Sequence, residues 1–499
     1  MEKVYLSKSR YCRAKQCNKM FWLDKYKPEE KVQTASDDVF ENGNKVGELA
    51  KQLFGEYVDI PFDKDLSTML DATASAMKNK PNIITEASFN YDNNFCSVDI
   101  LKNDEDGVEI YEVKSSTQIR DVYYDDVAYQ YYVLSNLGLN IKKACLVHLN
   151  NEYIRNGELE IDKLFSIEDF TEIAIQKQEE VKENIEKLNK VMQEHNENNE
   201  PKIDLGVYCM NPYACEYWGY CTRKLPTPNV FDVRGRMWFS KKIEKYYEGK
   251  ISFEDLINEN LSEVQLEQID FALNNKPPKI NIEVIKNLMN TLKYPLYFLD
   301  FETFKLPIPE YDGTWPYEQL PFQYSLHIAR EAEGELEHKE FLAEADDNEF
   351  MRHFAETLVR DIPENGSVIV YNEKFEKTIM AQLAERFPDL ADELNRIIDN
   401  VVDFLPPFRN RDYYMKEMNG SASIKAVLPA LYPDDPELDY HKLPVVHNGS
   451  EASEIFATLK EKSKEEQEQI RKGLLLYCGL DTYAMVKIWQ RFKELIGEE

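Results

Sequence analysis

Long hydrophobic runs are missing from this 499-residue chain. No stretch approaches the roughly eighteen uninterrupted apolar residues of a membrane-spanning helix, so an integral helical membrane protein is not expected. The opening residues, MEKVYLSKSRYCRAK, hold no apolar segment of the secretory type, and the expectation is a cytoplasmic protein. Internal repeats are absent, which argues against a repeat architecture. Positive charge is scarce: 60 Lys and Arg stand against 91 Asp and Glu, a formal net charge of −31. Binding of phosphates through a broadly basic surface is therefore not what the composition describes. A site of clustered carboxylates around metal ions is compatible with it.

What is present begins with length. The chain is too long for one ordinary core, and an apolar fraction of 43 % is ample for two or three packed interiors. The basic residues crowd the first segment, at Lys3, Lys8, Arg10, Arg13, Lys15, Lys19, Lys25 and Lys27. That segment reads either as a phosphate-facing surface or as a solvated helix face. Residues 1–60 read as helical. Over residues 83–150, short β-rich runs (IITEASFNY, FCSVDIL, VEIYEVK, KACLVHL) enclose one helical pattern, DDVAYQYYVLSNLG. Residues 165–198 predict a long charged helix. Residues 225–290 look helical and carry no recognisable chemistry. From Tyr294 a second α/β pattern opens with YPLYFLDF.

The first chemical constellation is Glu86, Asp99 and Glu112-Val113-Lys114. Period-2 geometry places Glu112 and Lys114 on one face of a strand. A hairpin turning at Asp106-Gly107 can bring Asp99 beside Glu112. Two such carboxylates suit Mg²⁺ or Mn²⁺, and the lysine can orient water or stabilise a charged transition state. The pattern resembles the PD-(D/E)XK nuclease motif. The resemblance extends to RecB-like nucleases through Gln130, which matches their glutamine, although Leu134 stands where they have tyrosine. Where those nucleases often carry a metal-binding histidine, Glu48 is the available ligand.

Eight cysteines in a cytosolic chain point to thiols or metal ligands rather than disulfides. Cys209, Cys215 and Cys221 follow one another at six-residue spacing in an aromatic setting, and Cys17 is a fourth thiol distant in sequence. Four thiolates can complete an iron–sulfur or zinc site. One early cysteine plus three after the nuclease core resembles RecB-family nucleases that hold a [4Fe-4S] cluster, with zinc as the alternative. Their last cysteines are usually more tightly spaced.

In YPLYFLDFET the alternation sets Asp300 and Glu302 on one face and Phe301 on the other. Asn372, Phe375 and Glu376 follow in a strand-then-helix pattern, SVIVYNEKFEKTIMAQLAERF. Tyr477 and Asp481 are four apart on a helical stretch, hence on one face. In order, these resemble motifs I, II and the Y-x-x-x-D form of motif III in DnaQ-like (DEDD) 3′→5′ exonucleases, with glutamate where motif II has aspartate. The resemblance implies carboxylates Asp300, Glu302, Glu376 and Asp481 around two Mg²⁺ or Mn²⁺ ions, and Tyr477 orienting water. Asp403 is the alternative third carboxylate. Lys425 reads as an exposed lysine.

The whole order resembles an uncharacterised bacterial two-domain family. The implied organisation is α/β: a restriction-endonuclease-like domain at 1–225, a helical connector at 226–290 and an RNase H-like exonuclease domain at 291–499. The implied activity is hydrolysis of phosphodiester bonds, in DNA rather than RNA. The alternatives are an RNA-processing exonuclease and a nucleic-acid-binding scaffold with degenerate sites. No Walker A pattern appears, so a helicase would be a separate partner.

Overall fold

The computed structural model describes residues 4–33 and 37–497; Lys3 lies outside them. The chain is mixed α/β and divides into two units. The first comprises Met1–Leu225 with Leu306–Tyr317, the second Pro226–Lys305 with Glu318–Glu499. The 226–290 segment, expected as a separate connector, thus belongs to the second unit. None of the described helices is long and apolar enough to cross a membrane.

The first unit is built on one sheet. Its strands are β1 (Leu6–Ser7), β2 (Val58–Asp59), β3 (Ile83–Tyr91), β4 (Asn94–Asp104), β5 (Gly107–Lys114), β6 (Ile141–Leu149) and β7 (Phe165–Asp169). They run in the order β2-β3-β4-β5-β6-β7, with β1 added beside β4. Asp92 and Asn93 take positive φ, 51° and 65°, the hand that a two-residue turn between twisted strands demands. Alternation then buries both faces. Ile84, Ile110 and Leu146 enter one core with Val127 and Val133 of the Asp121–Asn136 helix, while Ile83, Tyr111 and Val147 enter another with Val46. Phe165–Asp169 is an edge strand pairing with β6, not the start of the expected long helix, which begins only at Thr171 and breaks again before Gln178. Pairing against β6 overrides the helical pattern there. Leu306–Tyr317 packs as part of this unit: Thr314 and Gly313 bond the backbone of Arg155, and the Tyr317 hydroxyl donates to the Ser115 carbonyl at 2.6 Å.

The second unit holds β8 (Lys279–Ile280), β9 (Leu296–Phe304), β10 (Leu320–Ala329), β11 (Leu336–Leu342), β12 (Ser367–Val370), β13 (Val401–Asp403) and β14 (Tyr413–Tyr414). Five of them form a sheet in the order β11-β10-β9-β12-β13. β12 is parallel to both its neighbours; β10 is antiparallel to both of its own. β9 runs on past Glu302 to Phe304, longer than its sequence suggests. The Lys464–Ile496 helix crosses β9 and β10, fixed at its start by a Ser463–Glu466 capping box and closed by Gly497 at φ 78°. Leu296 and Phe298 on one face of β9 pack with Met485, Ile488, Trp489 and Phe492 of that helix. The same face continues to Asp300 and Glu302, and the same helical stripe runs back from Met485 to Asp481 and Tyr477. Apolar packing thereby aims the Asp300–Glu302 pair at Asp481 and Tyr477.

Candidate functional site

Ligand oxygens of Asp300, Glu302 and Asp481 lie within 4.8 Å of one another, and they are the one such cluster of three or more ligating side chains among the described residues. They line a cavity of about 220 Å³ together with Tyr371, Asn372, Glu376, Lys425 and Tyr477. Glu302, Asp481 and Glu376 are buried, and Glu376 Oε2 has no hydrogen-bond partner. Phe301 points to the opposite face and meets Phe354 edge-on.

Burial, then the neighbouring carboxylates, makes ionisation costly throughout this group. Asp300 is pushed well up by burial and by Asp481, Glu302 and Glu376. Glu302 is raised to about 8 by burial and Asp481, against the opposing pull of Lys425. Glu376 reaches about 8 by burial, with Asp403 adding to it against a backbone hydrogen bond that lowers it. Asp481 is raised by burial despite the hydrogen bond from Tyr440. One lysine cannot balance four carboxylates, and oxygen-rich, buried and undercompensated is the donor set that hard divalent cations take. The residues present therefore fit Mg²⁺ or Mn²⁺. One prediction follows. Between about 4.5, the ordinary glutamate value, and about 8, the folded state holds protons at Glu302 and Glu376 that the unfolded state has lost. Site stability without metal therefore falls as pH rises through that window. Calorimetry should show Mg²⁺ or Mn²⁺ raising the melting temperature more at pH 8 than at pH 6; a pH-independent increment would count against a carboxylate-bound ion.

Several partners of the cluster were not legible in sequence. Lys425, expected to be exposed, instead reaches the cavity, donating to the Tyr477 hydroxyl at 3.0 Å and the His447 carbonyl at 3.2 Å. Tyr440 donates to Asp481 Oδ1 at 2.6 Å. Gly449 opens a helix against the cluster: a Cβ there would sit 3.5 Å from Glu302 Oε2. No local pattern marks Tyr440 or Gly449. Asp403 accepts from the Asn372 and Leu405 backbone N–H groups at 2.9 Å each. It thus holds the turn in which Asn372 sits at φ 95°, leaving Glu376 as the acid in the cavity.

Comparison with known proteins adds a family without a function. The profile of a domain of unknown function, DUF2779, matches residues 297–423. That stretch carries Asp300, Glu302, Glu376 and Asp403 but not Tyr477 or Asp481. The chain is also 26 % identical over 245 residues to the uncharacterized protein MG366 of Mycoplasma genitalium, and 26 % identical over 255 residues to its homologue in Mycoplasma pneumoniae. These matches cover 45 % and 47 % of this chain, and 35 % and 38 % of those proteins. The chain thus spans little more than a third of the curated relatives it matches. No solved structure matches.

In the first unit, the β4–β5 ladder runs from Asp104↔Gly107 to Ile100↔Tyr111 and stops there. In place of the next rung, the Val113 N–H donates to Asp99 Oδ2 at 2.6 Å. Glu86 and Asp99 drop out of the β3–β4 ladder together, with Glu86 at φ 55°. Glu112 is buried beside Lys114 at 2.8 Å, and Gln130 of the Asp121–Asn136 helix donates to it. The sequence did not foresee two further members. Lys8 contacts both Glu112 oxygens at 2.6 Å, and Asp126 pairs with Lys114 at 2.7 Å. Burial alone would raise Glu112, but Lys114 and Lys8 outweigh it and hold the carboxyl at about 2. Asp99 rises to about 7 through burial and the charge on Glu112.

Glu48 is not part of this group. Its carboxylate is 67 % exposed and bonds Lys51 at 2.7 Å, a lysine that also holds Asp59 at 2.9 Å. Glu86 lies at the margin of the same lysine, 4.0 Å away. The basic N-terminal segment is paired in part, while Arg10 stays exposed, 5.8 Å from the centre of the Tyr5 ring. Arg13 binds Asp24 and Glu216, Lys15 binds Asp125 and Glu180, and Lys19 binds Glu200. Lys8 and Lys114 both hold Glu112, Lys114 being shared with Asp126, so a divalent ion at Glu112 would have to displace an ammonium group. Replacing Lys8 by Met should strip one counter-charge from a buried carboxylate and so strengthen Mn²⁺ binding at this site by on the order of tenfold. Manganese titration by electron paramagnetic resonance in an Asp300→Asn background would read this. Unchanged affinity would remove Lys8 from the site.

Cys17, Cys209, Cys215 and Cys221 all belong to the first unit, near enough for charge on one to act on another, but no three of them converge as a ligand group among the described residues. Cys209, Cys215 and Cys221 each feel the charge of Cys17, and all four are free thiols. Burial pushes Cys209 to about 12 and Cys215 to about 11. Without a bound cation they are neutral thiols. Cys215 N–H donates to the Cys209 carbonyl at 2.8 Å, and Lys19 stands by Cys17 and Cys221.

Proposed function

We propose that the second unit hydrolyses phosphodiester bonds in nucleic acid, DNA in the first instance, from the 3′ end with divalent metal. The observation that carries this reading is the convergence of Asp300, Glu302 and Asp481, from a strand and a helix about 180 residues apart, on a cavity that Glu376 and Tyr477 also line. Strand order β11-β10-β9-β12-β13, with the acids on the central strand, supports an RNase H-like exonuclease of the DnaQ type. Metal ions held by these carboxylates would supply an activated water and charge neutralisation at the departing oxygen. Glu302, Asp300, Asp481 and Glu376 are the ligand set. Tyr477, fixed by Lys425, positions the water; Tyr440 orients Asp481 so that one oxygen stays free for the cavity. The test is an assay with 5′-labelled single strands bearing free or blocked 3′ ends, in Mg²⁺ or Mn²⁺ against chelator. The reading requires a ladder shortening from free 3′ ends only.

For the first unit, Glu112, Lys114 and Gln130 on one face of β5 and its covering helix support a RecB-like PD-(D/E)XK module, with Cys17, Cys209, Cys215 and Cys221 holding a [4Fe-4S] cluster or, in its place, zinc. The double lysine clamp on Glu112 favours binding over catalysis there. RNA remains the alternative substrate of the second unit, since its acids would engage the phosphodiester through metal ions and not the 2′-OH that separates the polymers.

A further inference from the structure

The second unit also carries an exposed loop that sets two arginines beside an open indole. Residues Arg234–Trp238 precede the Phe239–Tyr247 helix. Trp238 is 83 % exposed, and Arg234 and Arg236 are exposed beside it. Neither guanidinium has an ion-pair partner among the described residues, whereas most cations of this acidic chain are paired, Lys241 with Glu244 among them. The half-buried Lys242 adds a third positive group, donating to the Phe231 carbonyl at 2.8 Å; burial first and Arg234 second lower its pKa, against the pull of Asp232.

The loop is held, not floppy. Gly235 turns it at φ 92°. Phe239 packs on Phe231 beneath, at 5.8 Å between ring centres. The buried Gln268 accepts from Arg234 N–H at 2.8 Å and donates to the Asp232 carbonyl at 3.0 Å. The same Gln268 amide reaches the Asn419 carbonyl at 3.3 Å, and a Cβ on Gly420 would fall 2.5 Å from it. Residues 419–425 then run into Ile424 and Lys425, both of which line the carboxylate cavity. One buried side chain therefore ties the aromatic, basic loop to the segment that delivers Lys425.

We propose that Arg234, Arg236 and Trp238 form a platform for single-stranded nucleic acid, the indole stacking on a base and the guanidiniums contacting phosphates. This rests on the hydrolase reading of the cavity and names the form of its substrate. A net charge of −31 repels polyanions, so a rigid site with unpaired arginines beside an open indole is where a phosphate chain can settle. Single strands are specified because a base face is available for stacking only when it is not already stacked in a duplex.

The experiment uses the full chain with Asp300→Asn in every variant, to stop degradation, and fluorescence anisotropy on labelled single-stranded DNA, single-stranded RNA and duplex DNA. Trp238→Ala is expected to weaken single-strand binding by about tenfold, with Trp238→Phe restoring most of it. Arg234→Ala with Arg236→Ala is expected to lower the salt slope, d log K/d log [salt], by about 1.4, or about 0.7 per lost phosphate contact. The RNA and DNA arms tell which polymer the platform prefers. Wild-type affinity and salt slope in both variants, or no nucleic-acid binding by the unaltered loop, overturns the platform. Hydrolysis of bis(p-nitrophenyl) phosphate by chains with native Asp300 separates the two readings, because so small an ester engages the cavity alone. Hydrolysis that is intact while loop variants bind normally sinks the platform only. Binding lost on Trp238→Ala in a chain that hydrolyses nothing upholds the platform and sinks the hydrolase.

Discussion

An Asp300→Asn chain is expected to lose metal-dependent 3′→5′ degradation by on the order of 10³-fold, the equivalent of about 4 kcal/mol of transition-state stabilisation. Asparagine keeps the shape but removes one charge from the centre of the cluster, where Asp481, Glu302 and Glu376 all act on it. Folding should not suffer, since the substitution relieves repulsion within a buried acidic group. The metal-induced gain in melting temperature should shrink with the activity, which ties both to one site. Tyr477→Phe should slow the reaction less and leave the metal response intact, because the lost hydroxyl contacts Lys425 and supplies no carboxylate. End-labelled substrates read the outcome. Equal loss of blocked and free 3′ ends, insensitive to Asp300→Asn, would move any activity away from this cavity.

The second large effect is expected at the cysteines. Chain purified without oxygen should be brown and hold about four irons, and Cys215→Ala should be colourless. Cys215 is buried and its backbone N–H bonds the Cys209 carbonyl, so removing its thiol leaves buried Cys209 and half-buried Cys17 and Cys221 without a complete ligand set to join them. The early helices around Cys17 and the 205–224 segment would lose a link between distant parts of the chain. A loss of a few kcal/mol, or about 10 °C in the melting of the first unit, is the expected scale. The response of the second unit to Mg²⁺ should persist. Iron and sulfide analysis decides the ligand: one zinc per chain with neither iron nor sulfide replaces the cluster with zinc, and no metal at all removes the site.

By itself the sequence determined the faces of the elements that carry the acidic side chains. Alternation in FCSVDI, VEIYEVK and YPLYFLDFET was enough to place Glu112 with Lys114 and Asp300 with Glu302, because a strand has only two sides. Four-residue spacing did the same for Tyr477 and Asp481. Tertiary structure decided everything that depends on which faces meet. Glu48 shares a suitable helix with the first unit yet turns its carboxylate to Lys51, since an exposed acid bonds the nearest cation. Lys8 looked like one of many surface lysines, and only the docking of its helix against β4 and the Asp121–Asn136 helix gives it Glu112 as a partner. Lys425, at the start of the Ile424–Leu431 helix, reaches Tyr477, and Tyr440, from a short 3-10 turn, reaches Asp481, by paths that no short-range pattern encodes. The SIEDF stretch becomes a strand because β6 offers an edge. Local periodicity follows from backbone geometry and is written residue by residue; the pairing of charges across a core follows from burial, which is shared among segments far apart in the chain.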